Sequence, residues 1–228
     1  MTNRTGKAPR IVAIVFMALN AAMNLLGGTG TVCAAFLTES FESMMPLLEY
    51  QWLYQTLTIV TIAIGLLCIW ATIALARARK HAYRDALVLL VVGTIVAGIH
   101  MVASLALRGK AVPANMKFYA NAITLLLFLV LGLPGLRERV DFSRGGSSDD
   151  KAMTGGLAAM VAGGAVLTTE LWVGSSHILG AANWVHVLRM PLLAGGTLLF
   201  AGGLALLLWS ALGLASRVCS DRVVELSA

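Results

Sequence analysis

Residues 86–107 read ALVLLVVGTIVAGIHMVASLAL, 22 residues without an aspartate, glutamate, lysine or arginine. A helix of that length rises about 33 Å, enough to cross the roughly 30 Å hydrocarbon core of a bilayer. In lipid a helix satisfies its own backbone N–H and C=O groups, which no other open segment does. Five further windows read the same way: 11–37, 52–76, 118–133, 153–174 and 192–215. The predicted fold is an all-α integral membrane protein, a six-transmembrane-helix bundle. A β-barrel needs short alternating segments with a polar lumen face, and nothing here alternates that way.

Composition agrees. A soluble domain carries about 25% charged residues; here they make up 12%, against 58% hydrophobic residues, and the mean hydropathy is +0.83. Pro9, Pro46, Pro113, Pro134 and Pro191 all fall at or outside the predicted helix ends, where a missing N–H costs nothing. Asp85 is placed to cap the third helix and complement its dipole. The apolar run after Arg4, Lys7 and Arg10 continues past residue 30, longer than a signal h-region, so an uncleaved first helix is expected.

Basic residues set the orientation. With the N-terminus in the cytoplasm, thirteen of the 17 lysines and arginines lie inside. Arg108, Lys110, Lys117 and Arg189 lie outside. By the positive-inside rule both termini are cytoplasmic and the protein is a multi-pass component of the cell membrane. Tyr50, Trp52, Tyr54, Phe118, Tyr119, Trp172 and Trp184 form the outer aromatic belt. The net charge of +6 is thus a topology signal, with anionic lipid its partner and no nucleic acid implied.

The chain divides into a four-helix half, 1–136, a cytoplasmic linker, 137–152, and a two-helix half, 153–228, expected to form one compact bundle. Arg-Gly-Gly-Ser-Ser-Asp-Asp within the linker reads as flexible. Glycines recur on helix faces: Gly156 and Gly163 in the fifth span, Gly195-Gly196 and Gly202-Gly203 in the sixth. Small residues let helices approach closely in lipid, so these faces predict packing within the bundle, self-association, or contact with other membrane subunits.

Few residues carry chemistry. Glu170 reads as the one formal charge well inside a span, and an intramembrane acid is a functional candidate. His100 shares a face with Gly93, Ala97 and Ser104 and is expected at a depth similar to Glu170, where the two would form a proton-handling or metal-binding pair if the third and fifth spans touch. The structural alternatives are a histidine bonded to a neighbouring hydroxyl and a Glu170 paired with a loop cation such as Arg189. Asn20 and Asn24 lie one turn apart on the first span, as interhelical glue or as ligand-binding amides. Gln55, Thr58 and Thr61 lean toward the outer half, so a polar pocket among spans one, two, three and five is expected. His177 and His186 lie in the last outer loop. Only His100 lies within a span, so a haem would need it together with a loop histidine.

No catalytic residue, metal site or cofactor is assigned. Cys33, Cys68 and Cys219 stand at different depths with no C-x-x-C spacing. No P-loop, G-x-S-x-G or H-E-x-x-H occurs. The first functional expectation is a non-catalytic subunit or scaffold of a larger membrane complex. The alternative is a small ion- or proton-coupled transporter or channel using Glu170 and His100. The third is a redox subunit binding quinone or haem near His100.

Overall fold

A computed structural model describes residues 7–111, 114–140, 142, 147–173, 178–179 and 182–227. The long helices are α1 (Lys7–Thr29), α3 (Gln51–Ala76), α4 (Ala82–Arg108), α5 (Ala114–Leu131), α7 (Ser148–Leu167) and α10 (Arg189–Ser227). Short helices α2 (Val32–Phe36), α6 (Pro134–Val140), α8 (Thr169–Val173) and α9 (Trp184–Val187) fill the connections. Two 3₁₀ turns, Thr38–Ser40 and Glu42–Tyr50, join α2 to α3. A two-residue antiparallel pair, β1 (Ile178–Leu179) with β2 (Ala182–Asn183), lies between α8 and α9.

Five helical segments are long and apolar enough to cross a membrane: Lys7–Phe36, Met44–Ala76, Ala82–Arg108, Ala114–Leu131 and Arg189–Gly213. Helix α7 falls short of that standard because Asp149, Asp150 and Lys151 occupy its first turn and the helix breaks at Thr168. The stretch read as a flexible linker has structure at several of its described residues. α6 occupies Pro134–Val140, Phe142 is buried in the core, and Ser147 caps α7.

The surface is apolar and much of the interior is polar, the reverse of a soluble domain. Val102, Leu126 and Leu198 are 62%, 62% and 75% exposed, whereas Asn20, Lys117 and Asn121 are at most 1% exposed. One apolar core fills the end of the bundle where α1 starts, with Ile14, Met17, Leu75, Leu90 and Phe128. Tyr83 crosses from α4 to donate to the Phe128 carbonyl at 2.6 Å. A second apolar cluster of Ala34, Ala35, Met44 and Leu47 encloses Tyr54 at the other end. Tyr54 therefore belongs to the interior and not to the aromatic belt, and its neighbour Trp52 stays 65% exposed.

The helices meet where glycine removes a side chain. A Cβ at Gly28 would lie 2.6 Å from Ile62, and one at Gly65 would lie 2.8 Å from Leu25, so α1 and α3 pack closely. Gly156 and Gly163 of α7 face Gly203 and Gly196 of α10.

Several helix ends are held locally. Arg10 donates to the Leu75 and Ala76 carbonyls at 3.1 and 3.4 Å, satisfying the end of α3. Asp85 lies inside the first turn of α4, pairs with Arg84 and makes no cap, because α4 starts at Ala82. Ser147 and Asp150 form a reciprocal capping box at the start of α7. Asp150 also meets Lys7 at 3.2 Å, tying the starts of α1 and α7 together. Burial pushes the Asp150 carboxyl up, but the Lys7 and Ser147 donors outweigh it and hold the carboxyl below its ordinary value. Its contribution is full above the ordinary carboxylate range and fades as pH falls through the lowered value.

After α3, Ala78 N–H bonds the Leu75 carbonyl and Arg79 N–H the Ala74 carbonyl, the two bonds of a Schellman motif. Ala78 has φ 53°, a left-handed conformation that costs a residue with a Cβ roughly 1–2 kcal/mol. Glycine is freer in the unfolded chain, which offsets part of the gain. Ala78→Gly is therefore expected to stabilise the protein by about 0.5–1 kcal/mol, read as a raised thermal midpoint in detergent.

Candidate functional site

Lys117 is the centre of the polar interior. It lies one turn into α5, with Asn121, Thr124 and Phe128 following on the same buried face. Its amine lies 2.6 Å from Nδ1 of His100 and donates to the Thr61 hydroxyl at 3.1 Å. With Nδ1 accepting, the His100 ring carries its proton on Nε2. Tyr54 stands edge-on to that ring, centroids 5.4 Å apart, and its hydroxyl lies 3.3 Å from Ser104. Among the described residues no carboxylate pairs with Lys117. The Thr58 hydroxyl, one turn from Thr61 and 1% exposed, has no hydrogen-bond partner.

One turn deeper, three asparagine amides close a ring. Asn20 donates to Asn121 at 3.1 Å, Asn121 to Asn24 at 3.3 Å, and Asn24 to Asn20 at 3.4 Å. Asn121 donates further to the Lys117 carbonyl at 2.7 Å, linking the two groups through α5. Asn20 also reaches the Cys68 sulfur at 3.8 Å. Gly93 of α4 leaves the space that the Asn121 amide fills.

The result is a column of polar groups from Tyr54 and Ser104, through His100, Lys117 and Thr61, to the asparagine ring. It ends against the apolar core around Met17 and Phe128. The arrangement can hold or pass a proton between amine and imidazole, and it offers donors with no opposing acid among the described residues. Asn121→Leu is expected to break the ring and cost about 1–2 kcal/mol from the lost interhelical bonds. A thermal melt in detergent measures it.

Of the residues singled out from sequence, His100, Asn20 and Asn24 come together in this column. Glu170 does not join them. Its carboxylate is about half exposed and bonds Nε2 of His186 across the gap between α8 and α9. Among the described residues its partner is His186 of α9 and not Arg189. His177 lies outside the described residues. Among the described residues no group of three His, Cys, Asp or Glu is placed to hold a metal ion.

Lys117 is a correction. Starting the fourth span at Phe118 put it in an outer loop, but the helix begins at Ala114 and buries it. Glu170 is therefore not the one charge within a span. The 117, 121, 124, 128 spacing, one face of a helix, was the available signal. The polar site lies among the first four spans, and the fifth takes no part.

Beside Lys117 is a cleft lined by α1, α5, α8, α9 and the start of α10. The aliphatic stem of Lys117 crosses its floor against Gly27, where a Cβ would meet Lys117 Cδ at 3.1 Å. Comparison of the chain with family models, curated proteins and solved structures finds no match.

Proposed function

We propose that this chain is a small proton-coupled transporter of the cell membrane, with six spans, both termini cytoplasmic, and Lys117 with His100 as its working pair. The observation that carries the reading is a buried amine 2.6 Å from an imidazole with no carboxylate partner among the described residues. An ionisable group inside a membrane is costly, and such groups mark ion pathways and proton relays. Two helix interruptions add support. The first span is broken at Gly30-Thr31 and the α7–α8 helix at Thr168, and interrupted helices are a common feature of transporter sites.

The remaining span of this reading, the fifth along the chain, is α7 continued by α8, seated along α10. Lys7, Arg10, Lys151 and the end of α3 gather at one end of the bundle, which supports a common cytoplasmic side under the positive-inside rule.

Proteoliposomes holding a pH dye, given an inward pH gradient and small anionic, cationic and neutral solutes outside in turn, test it. Solute-dependent proton entry above that of protein-free vesicles is expected with the native chain and at least tenfold less with Lys117→Met. Equal flux in the two removes Lys117 from the mechanism.

A specific observation favours a second reading, a non-catalytic subunit of a larger complex. Only 11% of the spanning part of α10 is buried. Gly195 and Gly202 on that helix have nothing within 4 Å of an added Cβ. Native mass spectrometry of the protein extracted from its own membrane decides it, by stoichiometric partners or their absence.

A further inference from the structure

The cleft beside Lys117 lies between the two helix interruptions. Thr29, Gly30 and Cys33 line it from the break in the first span, and Thr169, Trp172 and Val173 from the break after α7. The hydroxyls do not address it, because Thr29 bonds Leu25 and Leu26 carbonyls and Thr169 bonds those of Ala165 and Val166. Most of the remaining wall is methionine, leucine and valine. Among the described residues, Lys117 is the one lining side chain that carries a formal positive charge, and no aspartate or glutamate lines the cleft.

We infer that this cleft is the substrate site of the transport reading, and that it takes a monocarboxylate on an apolar body, with Lys117 as the counter-ion. The inference rests on that reading and names its substrate class. The chemistry follows from the lining. An apolar pocket with few polar groups binds by burial and orients by those groups. Here the single charge among the described lining residues is cationic, with no acid among them to neutralise it, so an anion gains what a neutral molecule of the same shape does not. Lys117 has a flexible four-carbon stem with three donors on its amine. Its stem lies on the cleft floor while its head holds His100 and Thr61. Rotation about that stem carries the amine from the histidine to a bound carboxylate. Proton and substrate would then meet at one side chain, which is the coupling a symporter requires.

Cys33, partly exposed in the cleft wall, reports occupancy. Cys68 is fully buried, and Cys219→Ser removes the third thiol. In that background, labelling by N-ethylmaleimide is followed by intact-protein mass spectrometry with octanoate, octanol or oleate present. Octanoate is expected to slow labelling of Cys33, and octanol at the same concentration to leave it unchanged. In Lys117→Met, half-protection is expected to need at least tenfold more octanoate. Met116→Trp, which fills the cleft and leaves the amine in place, is expected to abolish protection as well.

Protection by oleate but not octanoate, still dependent on Lys117, keeps the class and assigns its source to the membrane. Equal protection by octanol and octanoate, or no protection by either acid, overturns the inference. Lys117-dependent proton flux without protection overturns the cleft as substrate site and leaves the transport reading standing. Protection with Lys117-independent flux does the reverse.

Discussion

Leucine at Gly203 is expected to lower the stability of the protein by about 3 kcal/mol, at the upper end of the usual range for overpacking. The reason is what a side chain there would strike. A Cβ at 203 would lie 2.6 Å from the Gly156 carbonyl oxygen and 2.7 Å from the Met160 nitrogen. At Gly163 it would lie 2.6 Å from the Phe200 nitrogen and 2.8 Å from the Gly196 oxygen. These neighbours are backbone and have no rotamer to escape into, so the helices must separate. Dispersion between close-packed backbones is a main source of helix association in lipid, and α10 packs chiefly on α7. At roughly 2–4 °C per kcal/mol for a chain of this size, the thermal midpoint in detergent should fall by about 6–12 °C. Gly202→Leu is the control, since a Cβ there meets nothing within 4 Å. Its stability should stay within about 0.5 kcal/mol of the native value. Equal losses at 202 and 203 would contradict the packing described.

Lys117→Met is expected to leave stability within about 1 kcal/mol of the native protein while proton flux falls at least tenfold. Two effects oppose each other. Methionine keeps the length of the stem against Gly27 and removes a buried amine whose charged form costs about 2.5–3.5 kcal/mol at the centre of a membrane helix. Against this, His100 and Thr61 lose a partner, at about 1–3 kcal/mol for a buried unsatisfied group. The terms nearly cancel. Lys117→Ala also removes the stem and leaves a cavity, so it should cost about 2–4 kcal/mol. Thermal melts of the two variants, run beside the flux assay, separate the packing role of the stem from the proton role of the amine.

Hydropathy made the bundle legible because the bilayer forces it: 52–76 and 86–107 match α3 and α4 to within a turn at each end. Helix ends were less legible, since a helix extends into polar sequence whenever its neighbours bury that sequence. Lys117 is the consequential case. A lysine beside Pro113 and Lys110 reads as loop until His100 and Thr61 are known to face it. Glu170 was legible as a carboxylate near the end of an apolar run, but its partner was not: the α7–α8 helix is interrupted at Thr168 just before it, and His186 of α9 meets it. Asn20 and Asn24 were visible as a pair, while the third amide, Asn121, is 97 residues from Asn24 along the chain. Such closure belongs to tertiary packing, which periodicity along one chain does not encode. The glycine spacing of α7 and α10 was readable because close approach requires glycine whatever the partner.

The contact between Lys117 and His100 is the central claim, and solid-state NMR in lipid bilayers tests it most directly. With lysine labelled with ¹⁵N and histidine with ¹³C, the account predicts a through-space cross-peak between the Lys117 amine and the His100 ring, lost in His100→Ala. A native protein in lipid without that cross-peak, its Lys117 amine correlated instead with water, would contradict it.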